Sequence, residues 1–196
     1  MNGPDVVVLD YGMGNLHSVS KALERAGAQV RLATSPNEVG RAAAMVLPGV
    51  GNFGRCAENL RAAELDRAVL SWIEADRPFF GICVGMQLLF EGSDESELPG
   101  LGVLEGRVVR IPSDVRVPHM GWNTVDGSGP IFEGLEDSWF YFVHSFAADA
   151  EGVGMCEYGM RFAAAVERGQ MWATQFHPEK SAAAGLKVLG NFVGRL

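Results

Sequence analysis

Cationic side chains are scarce: 16 Lys and Arg stand against 24 Asp and Glu, a formal net charge of −8. A surface of that sign repels phosphate backbones and anionic headgroups, so no nucleic acid and no membrane is expected as the main partner. Long apolar runs are missing too. The longest, "AAAMVL" at 42–47, is far short of the roughly 20 residues needed to cross a bilayer. Cysteine is limited to Cys56, Cys83 and Cys156. An odd number at wide spacing is neither a disulfide framework nor a zinc pattern, and it suits a reducing cytoplasm. The four histidines, His17, His119, His144 and His177, lack metal-ligand spacing, so neither metal nor cofactor is expected. The segment "MNGPDVVVLDYG" has no basic region and only a short apolar run, so a signal peptide is not expected.

What remains is an ordinary globular composition, 47% hydrophobic and 20% charged, in 196 residues. That length suits one domain over 1–196 with a sizeable core. The first half alternates strand and helix signals. Strands are expected over 5–11, 29–34, 44–49 and 79–83, and helices over 15–28, 35–42, twice within 53–75, and from Val84 through "VGMQLLF". This order implies a mixed, mainly parallel central sheet with helices on both faces. In the second half, 101–111, 138–146, 154–159, 161–169 and 170–177 read as strands joined by short turns, several of them antiparallel. A helix over 182–196 closes the chain.

Four motifs could carry chemistry. "DYGMGN" (10–15) has the G-x-G spacing of a dinucleotide loop but lacks the third glycine, His17 standing there, which favours a tight strand-to-helix turn. "LPGVGNFG" (47–54) ends a strand in a strip where backbone N–H groups can turn toward a developing negative charge, or it is a plain glycine-rich loop. In "GICVGMQ" (81–87) a strand meets a helix at Cys83, fenced by Gly81 and Gly85. That spacing fits a nucleophile thrust out at a sharp bend, against the alternative of a buried thiol. The fourth is "FHPEKS" (176–181). Pro178 holds His177 extended, so His177 and Glu179, two apart, face the same side. A thiol needs a base and the base an orienter, and both motifs lie just past strand ends, at one edge of the expected sheet.

Taken together, these motifs resemble those of the class I glutamine amidotransferases, a flavodoxin-like α/β family. With "DYGMGNL", "LPGVGNFG", "PHMGWN" and "YFVHSF", the chain is most similar to the branch that forms the glutaminase subunits of imidazole glycerol phosphate synthases. The resemblance runs from residue 5 to about 193, with Val84 standing where leucine is more usual. It implies Cys83 as nucleophile, His177 as general base and acid, and Glu179 as its orienter. The oxyanion hole would be the Val84 N–H with one from Gly49, Val50 or Gly51. L-glutamine would be held by Gly51, Gln87, Glu95 (with Asp94 and Glu97 as rivals) and the backbone at Ser145 and Phe146. Asn15, His119, Met120, Trp122, Asn123, Tyr141 and Lys180 would face a separate (β/α)8-barrel synthase subunit, the other half of a heterodimer. Ammonia would pass to that subunit, which makes imidazole glycerol phosphate in histidine biosynthesis. A glutaminase serving another synthase, such as that for pyridoxal phosphate, a stand-alone γ-glutamyl thiol hydrolase, and a non-catalytic binding protein are the competing readings.

Overall fold

The computed structural model describes residues 3–196; Met1 and Asn2 of the expected domain lie outside the described residues. Four parallel strands form its frame: β1 (Asp5–Leu9), β2 (Gln29–Ala33), β3 (Ala44–Gly49) and β4 (Phe79–Cys83), side by side as β2-β1-β3-β4. β1, β3 and β4 are almost wholly buried, which is why they read as unbroken apolar runs, whereas edge strand β2 is half exposed and alternates. Helix α1 (Leu16–Arg25) carries the chain from β1 outward to β2. Helices α3 (Phe53–Ala62) and α4 (Leu65–Glu74) carry it from β3 the other way, to β4. Right-handed crossovers in opposite directions put these helices on opposite faces of the sheet. Between them α2 (Pro36–Val39) is a single turn stopped by Gly40 at φ 59°, shorter than the expected 35–42.

The second half extends the same sheet. β5 (Gly92–Ser93), β6 (Arg107–Arg110), β10 (Phe146–Ala148), β12 (Arg161–Arg168) and β13 (Met171–Thr174) continue it in the order β4-β13-β12-β10-β6-β5. β13 is parallel to β4, while β12 and β10 run antiparallel to their neighbours. β11 (Gly154–Glu157) pairs with β12 and with the short β8 (Asp126–Gly127). The last helix, α6 (Ala182–Val193), packs against α1.

Three expectations need correction. The expected strand over 138–146 breaks at Ser145 into β9 (Trp139–His144) and β10, which belong to different sheets. β9 pairs antiparallel with β7 (His119–Thr124), a strand missed because Gly121 and Asn123 interrupt its apolar pattern. In the expected 101–111 strand only Arg107–Arg110 forms one, since the Leu101 and Leu104 N–H groups bond the Leu88 and Leu89 carbonyls instead. The helix after Cys83 is one turn, α5 (Val84–Gln87); beyond it the bonds of Leu89 and Phe90 tighten to i−3 and the chain leaves for β5.

That turn sits tightly in the core. A Cβ on Gly85 would lie 1.9 Å from the Leu47 carbonyl oxygen of β3. No alanine fits there without parting strand and turn. Gly190 in α6, by contrast, has no atom within 4 Å of an added Cβ. Gly85→Ala is therefore expected to lower stability by more than about 3 kcal/mol, beyond ordinary overpacking because the obstacle is backbone. Gly190→Ala is expected to raise it by about 1 kcal/mol through helix propensity. Urea denaturation of the two variants beside wild type checks both.

Candidate active site

β4 delivers Cys83 at its C-terminal end, and the backbone bends there. Cys83 has φ 54° and ψ −109°, a conformation that side-chain-bearing residues rarely adopt and that costs on the order of 1–3 kcal/mol. The fence around it works by proximity: a Cβ on Gly81 would lie 3.0 Å from Ala173 of β13, and Gly85 meets β3 as described. Cys83 thus stands where strand turns into helix, almost fully buried, at the wall of a cavity of about 300 Å³. The neighbouring register, Gly49 opposite Cys83, brings the expected loop to the same place, and Val50 and Gly51 line the cavity.

His177 reaches the same cavity from past the end of β13, and Glu179 backs it. His177 Nδ1 bonds Glu179 Oε1 at 2.8 Å, with both side chains 1% exposed. A carboxylate accepting there fixes the proton on Nδ1, leaving Nε2 toward the cavity. Nε2 is buried and makes no hydrogen bond of its own. Burial opposes a charge on this imidazole, but the Cys83 sulfur and the Glu179 carboxylate outweigh it and raise its pKa. The segment is held by Ser181, the last residue of the "FHPEKS" motif and given no role by the sequence: its hydroxyl donates to the His177 carbonyl at 2.7 Å and accepts from the Tyr141 N–H at 2.9 Å. The His177 N–H bonds the Tyr141 carbonyl at 2.9 Å, locking the segment to β9. A thiol, an imidazole with a free nitrogen and a carboxylate that orients it can together activate a nucleophile and protonate a leaving group.

The other expected residues divide. Glu95 lines the cavity and accepts from the Phe53 N–H at 2.7 Å, whereas Asp94 is turned to Arg107 and Glu97 is exposed. Ser145, Phe146 and Lys180 also line the cavity. Gln87 lines it as well, but its amide nitrogen is committed to the Phe146 carbonyl and to Gln175 Oε1, both at 2.9 Å. Gln175, wholly buried, was not foreseen. It stands two residues before His177, at a bend just past β13, and Glu179 is carried back to His177 by a single 3-10 turn over Pro178–Lys180, so no strand periodicity marks it.

On β7 the alternation turns Met120 and Trp122 outward, 63% and 48% exposed, with the Trp122 ring edge-on to Tyr141. It turns His119 and Asn123 inward, which corrects their expected place on a partner surface. His119 is buried, stacked between Phe142 and Tyr158. The Asn123 amide is taken up by the Glu157 carbonyl at 3.2 Å and the Thr124 N–H at 2.8 Å. Asn15 is exposed and caps α1 by accepting from the Ser18 N–H. His17 is exposed on α1.

Comparison with known proteins follows this geometry. The family profile described as glutamine amidotransferase class-I matches residues 7–195. The chain belongs to the class I glutamine amidotransferase family. Within it, the chain is 45% identical to the imidazole glycerol phosphate synthase subunit HisH of Synechococcus sp. (strain JA-3-3Ab), covering 98% of this chain and 94% of that protein. It is 47% identical to the subunit of the same name from Aromatoleum aromaticum, covering 96% of this chain and 97% of that protein. Among solved structures, PurLQS from Thermotoga maritima superposes with a TM-score of 0.78 at 18% identity, over 98% of this chain and 99% of that one. A crystal structure of a glutamine amidotransferase gives 0.75 at 23% identity, over 96% and 98%. These last two speak for the fold, a flavodoxin-like mixed sheet as expected.

Burial pushes the His144 pKa down to about 3, helped by the charges of His119 and His177 and opposed by the Phe146 carbonyl; it pushes His119 down to about 4. Unfolding returns both to about 6.5, so between pH 6.5 and 4 the unfolded chain binds more protons. Their contribution is full above pH 6.5 and is lost as the pH falls through that window. His119→Phe, which keeps the stack but removes one site, is expected to give a shallower fall of Tm with acid than wild type. Thermal unfolding from pH 7 to 4 reads the difference.

Proposed function

We propose that this chain is the glutaminase subunit of an imidazole glycerol phosphate synthase. It hydrolyses L-glutamine to glutamate and ammonia and delivers the ammonia to a separate (β/α)8-barrel subunit, within a cytoplasmic heterodimer. The observation that carries the chemistry is the meeting of strained Cys83 and a Glu179-oriented His177 with a free Nε2 at one cavity. The assignment to this synthase rests on similarity of 45–47% over nearly the whole chain to proteins bearing that subunit name. Among the described residues no helix is long and apolar enough to cross a membrane.

The chemistry runs in two halves. The Cys83 thiolate attacks the carbonyl carbon of the glutamine side-chain amide, and the carbonyl electrons move to oxygen. The oxyanion is received by the Val84 N–H, first of α5, and by an N–H of the Gly49–Val50–Gly51 strip, each worth about 3–4 kcal/mol. His177 donates its Nε2 proton to the amide nitrogen, and the C–N bond breaks to release ammonia and leave a thioester on Cys83. Water then gives a proton to Nε2 as it attacks the thioester carbon, and collapse frees glutamate and the thiolate. Glu179 holds the imidazole orientation in both halves and stays ionised.

Substrate contacts fall to Glu95, whose carboxylate suits the α-ammonium of glutamine, to Gly51, and to the backbone at Ser145 and Phe146. Gln87 acts from beneath, its amide being held by Phe146 and Gln175. The docking face for the barrel is the outer side of β7 and β9. Exposed Met120, Trp122 and Trp139 supply the apolar area an interface core needs, Tyr141 lies against Trp122 on the same face, and in this reading Asn15 and Lys180 face the barrel as well.

Glutamine hydrolysis is measured with and without the barrel subunit and its nucleotide substrate. Activity is expected to rise on adding both. Cys83→Ala is expected to lose about 10⁴-fold or more, and Glu179→Gln about 10²–10⁴-fold by loosening the imidazole tautomer. Full activity of the isolated chain would instead identify a stand-alone hydrolase, and an active Cys83→Ala would remove the nucleophile from Cys83.

A further inference from the structure

A single carbonyl oxygen, that of Phe146, lies at the middle of a continuous chain of buried polar groups. On one side it accepts from Gln87 Nε2 at 2.9 Å. On the other it takes the Nδ1 of His144, also at 2.9 Å. A carbonyl can only accept, so both partners must be donors, and each consequence runs outward from there.

Toward the cavity, the atom of Gln87 at Phe146 must be its NH2. The same NH2 lies 2.9 Å from the side-chain amide of Gln175, which must therefore present its oxygen. Gln175 Nε2 is then turned to Cys83 Sγ, 3.6 Å away, as a donor. Toward the surface, His144 carries its proton on Nδ1, so its Nε2 is an acceptor. His119 Nδ1, 3.0 Å from that nitrogen, must donate, which leaves His119 Nε2 to accept from Asn123 Nδ2 at 3.5 Å. Burial keeps both imidazoles neutral at ordinary pH, so this order of donors does not change with conditions near neutrality. Among these partners Gln175 is the one side chain whose donor reaches the sulfur: wholly buried, it follows β13 beside Cys83, one residue past Thr174, which stands opposite Ile82.

We propose that Gln175 is a positioning residue for the Cys83 sulfur, its N–H held on the sulfur by an amide orientation that the Phe146 carbonyl imposes through Gln87. The inference rests on the reading of Cys83 as nucleophile. A donor on the sulfur favours the thiolate and fixes the sulfur lone pair that attacks. The same carbonyl ties this arrangement, through His144 and His119, to β7, whose outer side carries Met120 and Trp122.

The test compares the pH dependence of Cys83 alkylation by iodoacetamide in wild type, Gln175→Glu and Gln175→Met, in the full chain, with the modified cysteine identified by mass spectrometry. Three other titratable groups interact with the sulfur: His177, Tyr11 from the loop after β1, and Cys56 from α3. All three are unchanged among the variants. Burial pushes Cys56 up to about 11 and Cys156 up to about 12, so neither competes for the reagent near neutrality. Met removes the donor at similar volume, and Glu replaces it with a negative oxygen. The expected result is a profile displaced to higher pH in the order wild type, Met, Glu, with alkylation at pH 7 about tenfold slower or more for Glu. Kcat should fall in parallel while KM for glutamine moves little. If Glu fails to fold, the Met profile alone decides. Coinciding profiles with Cys83 still alkylated would overturn the role of Gln175 while leaving the nucleophile in place. A wild-type Cys83 that resists alkylation, together with an active Cys83→Ala, would overturn the underlying reading instead.

Discussion

The turn α5 lies so close on β3 that a Cβ at Gly85 would reach within 1.9 Å of the Leu47 carbonyl oxygen. Strand β4 must therefore change direction within one residue, and that residue is Cys83, at φ 54°. The strain is tolerated because strands on both sides, β3 and β13, hold β4 in register up to its last residues. The same bend sets the sulfur at the cavity wall, beside Val84 at the start of α5. Site and core are one construction here: the packing that excludes a methyl group at Gly85 also raises the Cys83 sulfur from its strand.

Around that bend the polar groups are nearly all paired, which makes the exceptions informative. His177 Nε2 and Glu179 Oε2 are buried without partners, and both belong to the pair proposed above to move protons. An unpaired buried nitrogen is costly in a resting protein and is what an incoming substrate or water would satisfy. Nearby, the Phe146 carbonyl accepts twice and so orients amides and imidazoles on either side of it. The site combines a rigid hydrogen-bonded wall with two open valences.

Much of the frame was legible in the chain. β1, β3 and β4 are buried on both faces and so read as apolar runs, and the helices between them show the expected spacing. Cys83 was legible because its glycines mark a close approach, and His177 because Pro178 holds it extended; Glu179 meets it from a 3-10 turn over Pro178–Lys180 rather than from the expected extended step. β7 was not, since a strand whose inward positions are His119, Gly121 and Asn123 has no apolar alternation to see. The inward turn of His119 was hidden for the same reason: its partners Phe142, Tyr158 and His144 come from distant segments. Gln175 stood beside a recognised motif, yet an amide at a bend past a strand end carries no chemical mark until its neighbour is known to be a thiol.

The alternation of strands and helices in the first half, the glycines that fence Cys83 and the local pairing of His177 with Glu179 were determined by the sequence itself, because each depends on residues within a few positions of one another. That Cys83 and His177, ninety-odd residues apart, share one cavity became certain only when β13 was seen to pair parallel with β4. The tertiary structure alone decided which carboxylate of Asp94, Glu95 and Glu97 enters the cavity, and which face of β7 meets solvent. It also decided that Gln87 and Gln175 hold each other. These depend on contacts between segments remote in the chain, where side-chain chemistry constrains the partner's type but not its identity.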